Sequence, residues 1–309
     1  MQLRQALTSA VQRLQGAHVG SPRMNAETLL MFVLGVNRAY LYAHPERALS
    51  REDQTRYDEV IGQRSDGVPS QYITGHQEFW GLDFLVSPAV LIPRPDTEHL
   101  VETVLRLTRD VRIPRIVDVG TGSGCIALAL AHELKTAEVY AVDLSPDALE
   151  IARANAARLE LEPRVSFLHG DVLTPVAESY GGIKLSKHAG GCGGPGQSFS
   201  FAGTTLRDLD FVVSNPPYVG WNEADKVQRA VFEFEPRMAV FAGSQGLDVI
   251  RPLIEQAHPA LKPGGYLVME IGYSMHDAVL DLLDPTLWDE PNIVPDLQGI
   301  PRVVAVRRR

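Results

Sequence analysis

From Arg115 onward the chain alternates short apolar runs with segments of helical periodicity. The series reads "RIVDV", "CIALALAHEL", "EVYAVD", "PDALEIARANAARL", "VSFLH", "LDFVVS", a helix around "GLDVIRPLIEQAHPAL", and "GYLVMEI". Alternation of this kind implies an α/β fold built on a parallel, doubly wound sheet. Such sheets place their ligands at the carboxyl ends of the strands, so the loops leaving those ends are where chemistry is expected.

Residues 1–75 show helical spacing and little strand signal. Leu3, Ala6, Leu7, Ala10, Val11 and Leu14 mark a first amphipathic helix, a second runs from about Asn25 to Leu34 and stops at Gly35, and a third starts at Ser50 with Asp53 three residues later, a capping-box pattern. A small N-terminal helical domain is expected there. Its eight arginines against seven acidic residues leave almost no net field, which favours a protein surface over a phosphate backbone as its partner. Residues 76–95 read as a linking hairpin, with "EFWGLDFLV" crossing a glycine turn and "VLIPRP" ending on prolines. The larger domain then covers 96–309, interrupted by a glycine-rich insertion at 180–205 that reads as a surface loop without chemistry.

A chain of 309 residues with 45% hydrophobic and 22% charged residues has the composition of an ordinary soluble protein, with enough length for one large domain and a smaller one. No apolar run approaches a bilayer span, so no membrane is expected. The absence of Asp and Glu before Glu27 faintly mimics a transit sequence, yet an amphipathic helix explains those residues better. The two cysteines, Cys125 and Cys192, cannot build a disulfide framework, which points to a reducing, cytoplasmic setting. His188 and Cys192 offer too few ligands for a metal site, and no metal is expected. A net charge of -9 supplies no general attraction for a polyanion.

The loop "DVGTGSGC", residues 118–125, joins the first strand of the series to a helix. Gly120, Gly122 and Gly124 allow a tight turn and close approach of the backbone to a ligand, and the following helix presents N–H groups. Asp143 stands at the end of the next strand, nineteen residues past Gly124, where a carboxylate can accept both ribose hydroxyls of a nucleoside. It also suits the start of the helix at "SPDAL", as an N-terminal charge with Ser145 as cap. A dinucleotide fingerprint wants its third glycine three positions after the second, where Cys125 stands. The G-x-G-x-G spacing argues against a nicotinamide dinucleotide, and the loop resembles instead the nucleoside loop of class I S-adenosylmethionine-dependent methyltransferases. By the same fold logic Asp171 lies near the adenine amine, unless it is only a turn residue before Val172. Cys125, despite its place at a helix start, is expected to be a small buried side chain and not a nucleophile.

After "LDFVV" comes Asn215-Pro216-Pro217-Tyr218. A residue before proline is pushed into extended conformation, and each proline removes a donor, so this rim is stiff and rich in acceptors. The side-chain oxygen of Asn215 and the carbonyl of Pro216 can together receive a planar –NH2 group, with Tyr218 packing on its face. That is a device for an amide or an aromatic amine, whose poor nucleophilicity is overcome by favouring the pyramidal transition state.

With "SQYITGHQEFWGLDFLVSPAVLIPRPDTE", "DVGTGSGCIALALA", "AVDLSPDALEIARANA", "VVSNPPYV", "FEPRMAVFAGSQGLDVI", "LKPGGYLVMEIG" and "DLQGIPRVV", the chain resembles the HemK/PrmC family of glutamine methyltransferases that modify peptide chain release factors. The segment "IPRPDTE", residues 92–98, favours this branch over sister enzymes acting on a ribosomal protein. The resemblance implies a class I S-adenosylmethionine-dependent methyltransferase with a Rossmann-like sheet. It also implies methylation of the glutamine amide in the Gly-Gly-Gln motif of class 1 release factors, docked by the helical domain. By position, Gly120, Thr121, Gly122, Ser123, Gly124 and Asp143 are expected to hold the cofactor. Val172 is expected beside the adenine, Asn215 between cofactor and substrate, and Asn215, Pro216, Pro217 and Tyr218 around the glutamine. A monomer is expected.

Enzymes that methylate the exocyclic amine of adenine use the same loop logic, but need a basic groove or base-flipping domain that this sequence does not supply. The terminal Arg307-Arg308-Arg309 reads as the solvated end of a last strand. A non-catalytic adaptor is disfavoured because every residue of the catalytic loop is present.

Overall fold

The apolar positions of the first helix, α1 (Leu3–Gly16), settle how the N-terminal region folds: Leu3, Ala6, Ala10 and Leu14 are all buried on one face. They meet Leu29, Leu30 and Val33 of α2 (Pro22–Leu34), a helix that Gly35 ends in the left-handed conformation. Leu41 of the short α3 (Arg38–Ala43), and Tyr57 and Ile61 of α4 (Arg51–Ser65), complete this core. Ser50 caps α4 by accepting the Asp53 N–H at 3.0 Å, while the Asp53 carboxylate takes the Ser50 hydroxyl and not its backbone N–H. α5 (Ser70–Thr74) follows. In this computed structural model the chain divides into two compact units, one of Met1–His76, Val86–Pro88 and Val227–Phe234, the other of Gln77–Leu85, Ala89–Lys226 and Glu235–Arg309. The structure describes residues 1–175, 200–201, 204–205 and 208–309.

A hairpin follows, of β1 (His76–Phe79) and β2 (Leu82–Leu85), turning at Trp80 and Gly81. Asn155 pins the hairpin by exchanging hydrogen bonds with both the N–H and the carbonyl of Leu85. No strand forms over "VLIPRP", where Pro93 and Pro95 cannot donate to a ladder. Next come α6 (Glu98–Leu107), β3 (Arg115–Val119), α7 (Cys125–Glu133), β4 (Glu138–Asp143), α8 (Pro146–Arg158), β5 (Val165–Asp171) and β6 (Thr174–Pro175). The chain continues through β7 (Ser200–Phe201), β8 (Thr204–Thr205), β9 (Leu209–Ser214), α9 (Arg229–Phe234), α10 (Arg237–Val240), α11 (Ile250–Ala260), β10 (Leu261–Glu270), α12 (His276–Leu280), β11 (Asn292–Pro295) and β12 (Pro301–Arg307).

Eight strands form one sheet in the order β11-β12-β10-β9-β3-β4-β5-β6. From β10 to β5 the neighbours are parallel, and apolar clusters lie on both faces, one around α6, α7 and Phe211, the other around α11, Leu267 and Met269. The sheet is not wholly parallel, in contrast to the sequence expectation. β12 runs antiparallel to β10 and to β11, because only α12 and the short β11 intervene and no full crossover helix returns the chain to the start of the sheet. β6 also adds antiparallel to β5.

Of the 180–205 insertion, only the paired dipeptides β7 and β8 are described; His188 and Cys192 lie outside the described residues. Among the described residues no helix is long and apolar enough to cross a membrane, and no group of three metal-ligating side chains occurs.

Candidate active site

Strand direction brings the two candidate loops together. β3 and β9 are adjacent and parallel, with Val119 paired to Ser214, so the glycine loop and the Asn-Pro-Pro-Tyr loop leave the same sheet edge side by side. Their strands come from opposite halves of the sheet order, which makes this the switch point where a ligand crevice opens. The Ser214 hydroxyl donates to the Val119 carbonyl at 2.7 Å and ties the two strand ends together.

The glycine loop is held by the strand beyond it. Gly120 and Thr121 donate to the Val142 carbonyl at 2.9 and 3.0 Å, and Gly122 donates to Asp143 Oδ2 at 2.8 Å. Gly120 and Gly122 have φ of +71° and +55°, and a Cβ built on either meets no protein atom within 4 Å. Both line a cavity of about 320 Å³, so a side chain there would take up part of that space. Gly124, at φ +82°, does not line the cavity; a Cβ there would press on Leu128 and Ala152, and its N–H closes the turn onto the Thr121 carbonyl at 2.8 Å.

The place of Asp143 is compatible with both readings of its sequence position. Its Oδ1 accepts the Ser145 N–H at 2.8 Å while Ser145 caps α8, so it does brace the helix start. Two oxygens carry about four acceptor sites, however, and the residue lines the cavity with capacity to spare. Burial raises its carboxyl above the ordinary value, opposed by the Ser145 and Gly122 N–H groups and by nearby His169. Asp118, fully buried behind the loop, accepts from the Thr121 hydroxyl at 2.6 Å and the Ala127 N–H at 3.2 Å. Burial pushes Asp118 up to about 7. One first-turn donor of α7 is thus spent inside the protein and is not offered to a ligand. Burial, with the Asp118 charge, also pushes the Cys125 thiol up to about 12, which makes it a packing residue.

Thr121, Ser123, Asp171, Val172, Asn215, Pro216 and Pro217 all face the same cavity. Val172 is buried and has φ of +53°, a strained conformation for a β-branched residue. Tyr218 alone of the catalytic loop is not among the lining residues. It packs on the second core cluster, and its hydroxyl donates to Glu270 Oε1 at 3.3 Å.

Sequence reasoning missed the far wall of the cavity. Val90, Pro93, Arg94 and Thr97 line it, as does Phe241. Buried Glu235 fastens this wall by accepting from the Ile92 N–H at 3.2 Å and from Arg94 at 2.6 Å. The signal was present in Pro93-Arg94-Pro95, the same rigid, donor-poor pattern as the catalytic loop. Thr97 was missed because its partners lie far along the chain. Its hydroxyl accepts from Asn215 Nδ2 at 3.0 Å and donates to Glu270 Oε2 at 2.6 Å.

The glycine cradle, the apolar walls and a carboxylate at the end of β4 fit a nucleoside-bearing cofactor such as S-adenosylmethionine. Comparison with known proteins agrees. Residues 5–75 match the family described as PrmC N-terminal domain, and residues 116–182 match one described as methyltransferase domain. The chain is 52% identical over 309 residues to the release factor glutamine methyltransferase of Koribacter versatilis, covering 100% of this chain and 99% of that one. It is 41% identical to that of Moorella thermoacetica, with the same coverage of both. To that of Escherichia coli it is 38% identical, covering 90% of this chain and 89% of the relative. Among solved structures, the hMettl16 catalytic domain in complex with MAT2A 3'UTR hairpin 1 shares the fold, with a TM-score of 0.53 and 16% identity, over 87% of this chain and 84% of that one. With full-length relatives at this level of identity, the chain belongs to the release factor glutamine methyltransferase family and is an S-adenosylmethionine-dependent methyltransferase.

Proposed function

We propose that the protein methylates the side-chain amide nitrogen of the glutamine in the Gly-Gly-Gln motif of class 1 peptide chain release factors. One observation carries the reading: the glycine loop, Asp143 and Asn215-Pro216-Pro217 line one cavity at the switch point of the sheet. The relatives' shared name supports the substrate, and the sequence likeness extends over both units.

In this reading Gly120, Gly122 and Asp143 hold the nucleoside of S-adenosylmethionine, and Val172 borders the adenine. When bound, the cofactor supplies an electrophilic methyl on a sulfonium. The chain's own contribution is placement. With Asn215 Nδ2 engaged by Thr97, Asn215 Oδ1 is the acceptor left for the substrate amide, and the Pro216 carbonyl is the second. Two acceptors on one –NH2 group fix the direction of its nitrogen lone pair. They also favour the transition state, because N–H groups become better donors as the nitrogen turns tetrahedral and gains positive charge. No strong base is required, since the nitrogen becomes acidic only after methylation. Pro93, Pro217, Ile126 and Phe241 give the cavity an apolar lining that limits water near the reacting groups.

The helical unit is the proposed docking element for the release factor, which acts in the cytoplasm as substrate of a monomeric enzyme. Transfer of label from methyl-tritiated S-adenosylmethionine tests the proposal. Label should enter an unmethylated release factor and should not enter ribosomal proteins or short adenine-containing DNA and RNA. Label in nucleic acid with none in the release factor would overturn it.

A further inference from the structure

Four residues from three separate stretches of the sequence form one chain of hydrogen bonds at the cavity's edge. Asn215 Nδ2 donates to Thr97 Oγ1 at 3.0 Å, Thr97 Oγ1 donates to Glu270 Oε2 at 2.6 Å, and the Tyr218 hydroxyl donates to Glu270 Oε1 at 3.3 Å. Thr97 and Glu270 are each 2% exposed, so water cannot rearrange these bonds freely.

The direction of each bond in the chain dictates the next. A carboxylate is acceptor-only, so the Thr97 hydroxyl must point its hydrogen at Glu270. Its oxygen then has only lone pairs for Asn215, which must present –NH2 to Thr97 and Oδ1 to the cavity. The two faces of an asparagine amide are nearly isosteric, and shape alone would not choose between them. We propose that Glu270 is a positioning residue which, through Thr97, selects the edge of the Asn215 amide that meets the substrate. This rests on the reading of Asn215 as the acceptor for the glutamine amide. If Glu270 were protonated it would become a donor to Thr97, the Thr97 hydrogen would be free to turn to Asn215 Oδ1, and the rotated amide would set –NH2 against the substrate's own –NH2.

The surroundings place that change within reach of ordinary pH. Burial is the largest influence on Glu270, opposed by the hydrogen bonds from Thr97 and Tyr218 and by Arg302 on β12, while Asp96 beside Thr97 acts with burial. Arg302 is itself engaged by Asp296 at 3.0 Å and Asp96 at 3.6 Å. Arg94 is paired to Glu235, and the neutral Cys125 thiol is the group facing Glu270 from α7. The balance leaves Glu270 at about 7.

The test uses the full chain with an unmethylated release factor. Thr97→Val keeps the shape and removes the hydroxyl. It should lower kcat about 10- to 100-fold, with KM for either substrate changed by less than about threefold. Thr97→Ser, which restores the hydroxyl, should recover most of that loss. In the wild type, kcat should fall as pH drops through about 7, and Glu270→Gln should abolish that limb. A second readout needs no turnover. The side-chain amide resonances of Asn215, assigned by their loss in Asn215→Asp, should shift with pH in the wild type and not in Glu270→Gln or Thr97→Val. A folded Thr97→Val enzyme with wild-type kcat, or Asn215 resonances indifferent to pH in the wild type, would overturn the proposal. A wild type that leaves the release factor unmodified while its Asn215 resonances titrate would instead strike the substrate reading and support the positioning role.

Discussion

In the proposed reading Asn215 has two tasks for one short side chain, anchoring through Nδ2 and presenting Oδ1, and its neighbours Pro216 and Pro217 keep the loop stiff. Replacing Asn215 by Ala removes one preorganised acceptor. Turnover should fall by about two to three powers of ten, with cofactor affinity nearly unchanged when followed by calorimetry. Asp143→Ala should act the other way round. It removes the acceptor for the Gly122 and Ser145 N–H groups as well as the proposed ribose contact, so it should weaken cofactor binding about tenfold or more before any effect on chemistry. Unchanged affinity in the Asp143 variant would contradict the ribose assignment. The place of both residues at the cavity was legible in the sequence, because Asp143 ends one apolar strand and Asn215 directly follows another. Thr97 and Glu270 were not, since a threonine after "IPRPD" and a glutamate ending "LVME" carry no local signal; their meaning comes from a hydrogen bond spanning 173 positions.

Strands and helices were legible to the extent that local pattern decides them. β3, β4, β9 and β10 are apolar runs bounded by turn residues, and α7 follows a glycine loop, so their existence and order could be read directly. The direction of β12 could not. Its burial pattern, with four consecutive buried residues, is that of a covered parallel strand, and it is reversed because the connection from Ile271 to Ile300 holds no long crossover helix. α3 and α5, of six and five residues, are too short for periodicity to reveal. The turn between β3 and α7 offers a prediction at this scale. At Gly124 a Cβ would lie 3.1 Å from Leu128 Cδ1 and 3.2 Å from Ala152 Cβ, in a left-handed conformation. Gly124→Ala should therefore destabilise the fold by roughly 1–3 kcal/mol in denaturant titration. Gly122→Ala, whose Cβ meets no protein atom, should cost less stability and more cofactor affinity.

Across the whole molecule, burial of Asp118 and Glu270 links stability to pH. Both are pushed up to about 7, so the folded protein retains their protons at pH values where the unfolded chain has lost them. Their contribution to stability is complete below about 4 and is lost as pH rises to about 7. For Glu270 the loss is on the order of 3 kcal/mol at roughly 1.4 kcal/mol per unit. Thermal unfolding of the cofactor-free protein should accordingly show Glu270→Gln gaining on the wild type between pH 5 and pH 8, a range that brackets about 7. A constant difference across that range would contradict it. The unit that carries the chemistry thus accepts a buried charge near its site, where an entirely apolar edge would have been more stable. The proposed reaction is methyl transfer to the release factor. Mass spectrometry of an unmethylated class 1 release factor, after incubation with this protein and S-adenosylmethionine, tests it most directly, beside a release factor whose Gly-Gly-Gln glutamine is replaced by alanine. A gain of one CH2 on that glutamine and none in the control is expected; an unmodified glutamine, with cofactor binding intact, would rule the proposed transfer out.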